Sequence, residues 1–139
     1  MISRVLVPMA DPKMGERALR YALEAHPDAA VTVLHVVGEP SAMLGQATSL
    51  ALSDDVEATA REYARDVLDH AEAVAAEYDA DIETEVRTGR PGRAIVTRAE
   101  DFDTVIIGSH AGKFVDRLFV GNVAKTVFQR CPVPVTVVR

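Results

Sequence analysis

The chain holds one cysteine, Cys131, and no tryptophan. A single thiol cannot form an intrachain disulfide, and it fits a reducing compartment. No stretch is apolar for long enough to span a bilayer. The opening Met1-Ile2-Ser3-Arg4-Val5 is a short apolar run soon broken by Pro8. It lacks the long apolar region and small-residue cleavage site of a secretory leader, so a cytoplasmic location is expected. Lysine stands only at Lys13, Lys113 and Lys125, and the formal net charge is -6. That balance argues against a general nucleic-acid or anionic-membrane surface.

Several motifs are missing too. The first loop, Pro8-Met9-Ala10-Asp11-Pro12, has no G-x-G-x-x-G, so a dinucleotide site is not expected there. Gly112-Lys113-Phe114 is not a P-loop, since no Gly stands five residues before Gly112 and no Ser or Thr follows the lysine. The third strand ends Val86-Arg87-Thr88 without the aspartate of a phospho-receiver. His26 and His70 have no paired ligands at metal spacing. His35 closes an apolar strand and reads as a hydrogen-bonded core histidine. No Ser-His-Asp or paired-carboxylate arrangement is legible.

What is present is alternation. Val5-Leu6-Val7 is a short apolar run without polar residues, the signature of a strand buried on both faces. Met9 to Lys13 reads as a loop, with Asp11-Pro12 as a turn signal. Met14 to His26 carries Ala18, Leu19, Ala22 and Leu23 at helical spacing, and Pro27 ends it. Val31 to Val37 is a second strand. Glu39 to Leu52 reads as irregular. A long helix then starts at Ser53 or Asp54, with Asp54 and Glu57 at capping-box spacing. Its apolar stripe is Val56, Ala60, Tyr63, Ala64, Val67, Ala71, Val74, Ala75 and Tyr78. Asp81 to Arg87 alternates with period two and reads as an edge strand. Thr88 to Gly92 turns, and Pro91 suits a first helical position. Ala94, Ile95 and Ala99 face the core from a short helix. Thr104 to Ile107 is the fourth strand. Val123, Ala124, Val127 and Phe128 line a last helix that Cys131-Pro132 stops, and Val133 to Val138 closes the chain as a strand.

The order β-α-β-α-β-α-β-α-β implies one α/β domain over residues 1–139, with a mostly parallel sheet and helices on both faces. Ligands in such folds bind at the carboxyl ends of strands, where strand order reverses. The stretch Val105-Ile106-Ile107-Gly108-Ser109-His110-Ala111-Gly112, with Gly121-Asn122-Val123 after a short insert, fits that place. An apolar strand runs into a small-residue loop and then a helix start, the arrangement of many phosphate sites.

These residues also carry a resemblance. The chain resembles the universal stress protein family (UspA-like) over its full length. The likeness runs from Val5-Leu6-Val7-Pro8 through Leu34-His35-Val36-Val37 to Pro132-Val133-Pro134-Val135-Thr136-Val137-Val138. Its most specific parts are Asp103 to His110 and Arg117-Leu118-Phe119-Val120-Gly121-Asn122-Val123-Ala124. The resemblance implies a three-layer, Rossmann-like sandwich of the adenine nucleotide alpha hydrolase-like kind, with strand order 3-2-1-4-5. It also implies a homodimer, commonly formed through the last strand, here Val133 to Val138. ATP-binding members carry Gly-x-x-Gly, nine residues, then Gly followed by Ser or Thr. The spacing is kept here as Gly108 to Ala111, Gly112 to Val120, and Gly121-Asn122. Ala111 replaces the second Gly and Asn122 the hydroxyl residue. Ala10 stands where the family has an acid, which appears one place later as Asp11.

Two readings follow. In the first the protein is a non-catalytic stress-response homodimer with an adenine-nucleotide (ATP) or phosphate pocket. Pro8, Met9, Asp11 and Val36 serve the nucleoside, and Gly108, His110, Gly112, Gly121, Asn122 and Val123 the phosphates. In the second the pocket is closed by the departures at Ala10, Ala111 and Asn122, and the protein is an interaction module. A Cβ at Ala111 either blocks close phosphate approach or strains a left-handed backbone by roughly 1–2 kcal/mol, unless Gly112 takes over that conformation through a one-residue shift of the loop. A lost charged hydrogen bond at Ala10 costs about 1–3 kcal/mol. Gly108 and Gly121 also fit plain turn and packing roles. Slow ATP hydrolysis is a third, lesser expectation, because only His110 or Asp11 could act as a base near the loop.

Overall fold

The computed structural model describes residues 1–38, 46–108 and 123–139, and of residues 46–56 the backbone alone. The elements are β1 (Arg4–Pro8), α1 (Pro12–Ala25), β2 (Ala30–Val37), α2 (Gln46–Glu77), β3 (Ile82–Thr88), α3 (Pro91–Ala99), β4 (Thr104–Gly108), α4 (123–130) and β5 (Val135–Val138). The five strands form one parallel sheet in the order β3-β2-β1-β4-β5. This is the expected order, with β3 and β5 at the edges.

β1 shows why its sequence does not alternate. Val5, Leu6 and Val7 are all fully buried. Successive side chains point to opposite faces of a strand. Val5 and Val7 therefore meet Leu19, Ala22, Val67 and Ala71 of α1 and α2 on one face. Leu6 meets Ile95, Ala99, Phe102 and Val127 on the other. A strand covered on both sides needs apolar residues at every position.

Main-chain bonding alternates in the same way. The Met9 amide donates to Leu34 O at 2.9 Å, on the β2 side, and the Asp103 amide donates to Arg4 O at 2.9 Å, on the β4 side. Odd positions of β1 thus turn to β2 and even positions to β4. Pro8 is even, and it has no N–H to give to the Ile106 carbonyl. The β1–β4 register accordingly stops after Val5↔Thr104 and Leu6↔Val105, whereas β1 and β2 stay paired up to Pro8↔Leu34. The upper ends of β1 and β4 lack the bond that would zip them together.

The lower end is tied down. The Asp103 carboxylate accepts from the Ser3 and Arg4 amides at 2.8 and 2.9 Å, which holds its pKa below the ordinary value. The guanidinium groups of Arg4 and Arg98 both stand over the Phe102 ring, at 4.8 and 4.9 Å from its centroid. Arg98 also grips Glu85 with two parallel bonds of 2.8 and 2.6 Å, which fixes α3 to β3.

Some boundaries differ from the sequence reading. α1 opens at Pro12, inside the stretch read as a loop. Asp11 is its N-cap, accepting from Met14 N at 2.8 Å, and Pro12 takes the first helical position. The same Asp-Pro pair that signals a turn also signals a helix start. α2 is already helical at Gln46, so the span read as irregular to Leu52 is helical in its latter part, and Ser53 and Asp54 are interior rather than caps. The run Leu50-Ala51-Leu52 consists of strong helix formers. On α2 the inner stripe is Ala64, Val67, Ala71, Val74 and Ala75, while Tyr63 is exposed. On α3 the buried residues are Gly92, Ile95 and Ala99, with Ala94 only partly covered. On α4, Ala124 and Val127 face inward, but Val123 and Phe128 are exposed. β5 begins at Val135 rather than Val133, because Pro134 supplies no donor to the ladder.

Candidate functional site

Strand order reverses between β1 and β4, and there the two strands part at their carboxyl ends. A cavity of about 310 Å³ opens at that point. It has the size of a small-molecule site. From the first reading's residues it brings together Pro8, Met9, Asp11, Val36, Gly108 and Val123. His110, Gly112, Gly121 and Asn122 lie outside the described residues, as does Ala111. The side chain of Ala10 is exposed at the rim and leaves the space open.

The loop that forms one wall is fixed from below. The buried His35 ring shares a 2.8 Å hydrogen bond with the Met9 carbonyl through Nδ1, so Nδ1 carries the proton. His35 also meets Tyr63 edge-on, with ring centroids 5.8 Å apart. It is the hydrogen-bonded core histidine expected. Burial, and after it the negative charge of Asp11, push the Tyr63 phenol above its ordinary pKa. Asp11 is half-buried, and one of its oxygens already caps α1.

Two glycines set how closely α1 approaches. A Cβ on Gly108 would collide with the Met14 carbonyl oxygen, so β4 ends against the first turn of α1. A Cβ on Gly15 would collide with the Met9 side chain. Gly108 is therefore a packing glycine as well as the start of the loop. Gly15, Met14, Leu34, Pro91, Ile95 and Ile107 also line the cavity, and sequence reasoning did not single them out for it. Ile95 and Ile107 were legible only as core residues. A glycine inside a helical pattern was the available signal for Gly15.

Chemically the wall is hydrocarbon, with one carboxylate, Asp11, as its ionisable lining residue among those described. The cavity suits a flat apolar group with a polar edge near Asp11. Among the described residues it offers no pair of groups for acid–base work. Two wider hollows, of about 1050 and 750 Å³, lie along the β3 edge. They lie on either side of that strand and share no lining residue with the cavity at the β1–β4 parting.

The universal stress protein family model matches residues 1–139. The chain belongs to the universal stress protein family. Universal stress protein UspA from Lactobacillus plantarum is 25% identical, with a TM-score of 0.79 over 99% of this chain and 98% of that one. A universal stress protein family member from Arabidopsis thaliana, solved with AMP bound, is 18% identical, with a TM-score of 0.70 over 98% and 90%. The universal stress protein from Archaeoglobus fulgidus in complex with dAMP is 20% identical, with a TM-score of 0.64 over 100% and 98%. No curated protein sequence matches the chain significantly. Among the described residues no group of three or more His, Cys, Asp or Glu side chains is placed to hold a metal, and no helix is long and apolar enough to cross a membrane.

Proposed function

We propose that this universal stress protein is a non-catalytic, nucleotide-responsive stress protein whose cavity takes the nucleoside part of an adenine nucleotide such as ATP. The observation that carries this is the apolar cavity that the described residues leave where β1 and β4 part, with Asp11 at its edge. In this reading the base lies against Pro8, Met9 and Val36. The phosphates run from Gly108 toward His110, Gly112, Gly121 and Asn122 and the start of α4. AMP and dAMP in the two structural relatives support an adenine-sized guest. A described lining with a single ionisable residue favours holding a nucleotide over turning it over. The protein works in the cytoplasm as one domain and as a homodimer through Val133 to Val138, where β5 presents an edge of half-buried valines.

Isothermal titration with Mg-ATP tests the reading. Saturable heat at or below millimolar ligand, reduced at least tenfold in affinity by Val36→Asp, is expected. No heat at millimolar ATP removes the nucleotide from the proposal. In sedimentation at micromolar concentration, Val137→Lys is expected to lower the oligomeric state by removing the β5 contact.

One observation favours the second reading, a family member that works by contact alone. One oxygen of Asp11, the acid displaced by one place from the family's position, is already engaged as the α1 cap. Under that reading ATP gives no heat, and the dimer is unaffected by nucleotide.

A further inference from the structure

β5 is one edge of the sheet and β3 is the other. The Gly89 amide donates to Val37 O at 3.0 Å, so odd residues of β3 turn their main-chain groups to β2. Thr84, Val86 and Thr88 therefore turn theirs outward. Side chains follow the same alternation. Thr84 and Val86 stand opposite Val33 and His35, on the α2 face, and Glu83, Glu85 and Arg87 are on the α3 face. α2 packs on one face of the strand and α3 on the other, and among the described residues no strand pairs with its outer edge. The hollows of about 1050 and 750 Å³ flank it on its two faces, and Val86 and Thr88 line both.

Charge changes sign along the strand and its flanks. Glu83 and Glu85 precede Arg87 within β3, Asp81 lies just before it, and Arg90 and Arg93 follow in the turn and the first turn of α3. The three arginines are exposed, in a chain of formal net charge -6. Val86, between the two halves, is 49% exposed. An apolar residue at the midpoint of an unpaired edge is what negative selection against pairing removes. A strand with acids before its midpoint and a base after it is complementary to its own reverse.

We propose that β3 is a self-association edge, where two copies of this chain pair antiparallel in a register centred on Val86. In that register Val86 faces Val86 of the second copy and Thr84 faces its Thr88. All of these residues have outward main-chain groups, so they form the hydrogen-bonded pairs of the ladder. Glu85, which already holds Arg98 and lies 3.6 Å from Arg87 of its own chain, faces Arg87 of the second copy twice, at the non-bonded positions where side chains come closest. Shifting the centre to Glu85 puts Glu85 against itself, and so this register is selected over that one. The axis is a two-fold normal to the sheet, which makes the contact isologous. It is separate from the β5 edge and independent of whether nucleotide binds.

The test is a cysteine ladder in a Cys131→Ser background, which leaves one engineered thiol per chain. Hydrogen-bonded antiparallel partners have Cα atoms about 5.5 Å apart, within reach of a disulfide. Val86→Cys is expected to give a linked pair under mild oxidation at micromolar protein. Glu83→Cys is the control, because two copies of position 83 are then roughly 20 Å apart along the ladder. A mixture of Thr84→Cys and Thr88→Cys chains is expected to link to each other and not to themselves. Adding Arg87→Glu to Val86→Cys sets like charges opposite and should slow linkage at least tenfold. Linkage at position 83 as fast as at 86 overturns the proposal. So does self-linkage at 84, or the absence of linkage both at 86 and between 84 and 88.

Discussion

A methyl group at Gly108 has nowhere to go, because the opposing atom is a main-chain oxygen of α1. Gly108→Ala is expected to destabilise the protein by about 2–3 kcal/mol in urea titration, the upper range for overpacking. Gly15 differs because its obstacle is the Met9 side chain, which can be shortened. Alanine at position 15 gains about 1 kcal/mol of helix propensity and loses more to the collision. Gly15→Ala alone should destabilise, and in a Met9→Ala background it should stabilise. A double-mutant cycle without that reversal would show that Met9 is not what position 15 accommodates. Neither role was readable in the sequence. Gly108 was legible as the end of an apolar strand, but the carbonyl it accommodates belongs to a residue 94 positions earlier. Contacts of that range follow from packing and leave no local pattern.

At the scale of elements, Pro8 illustrates how one missing donor shapes a crevice. Pro8→Val restores the amide that would reach the Ile106 carbonyl. The new bond contributes about 0.5–1.5 kcal/mol, and the loss of proline's restriction of the unfolded chain offsets about 0.4–1 kcal/mol of it. Overall stability should change little. The informative reading is hydrogen exchange, where the new amide at position 8 should become as protected as that of Leu6, with weaker ATP binding as the strands close. Fast exchange of that amide would mean that something other than Pro8 keeps β1 and β4 apart. The elements were mostly legible: period and punctuation placed every strand to within two residues. The starts of α1 and α2 were not. Asp11-Pro12 serves turns and helix caps alike, and helix formers before Ser53 outweighed the capping spacing downstream. The cavity was legible as a location, because strand reversal fixes it, but part of its wall comes from residues such as Ile95 and Ile107 that read simply as core.

For the whole molecule, acid sensitivity follows from the pairs that join its elements. Glu85, gripped by Arg98, and Glu16, bonded to His70 and then Arg20, both have carboxyl pKa values below the ordinary 4.5. A carboxyl group lowered on folding stabilises the protein above its unfolded pKa, and that contribution is lost as pH falls through the folded value. Stability should hold from neutrality to about pH 4.5 and decline below it. Glu85→Gln should flatten that decline while lowering stability at pH 7, as read by urea midpoints across the range. An unchanged slope would place the acid-labile groups elsewhere.

The clamp of Asp103 on Ser3 and Arg4 has a practical corollary. Since all strands run the same way, that clamp is on the underside of the molecule, opposite the mouth between β1 and β4. A protein coupled to a sensor chip through its first residue would present the mouth to the flowing solution. One coupled through Arg139, just beyond the upper end of β5, would hold the mouth against the chip.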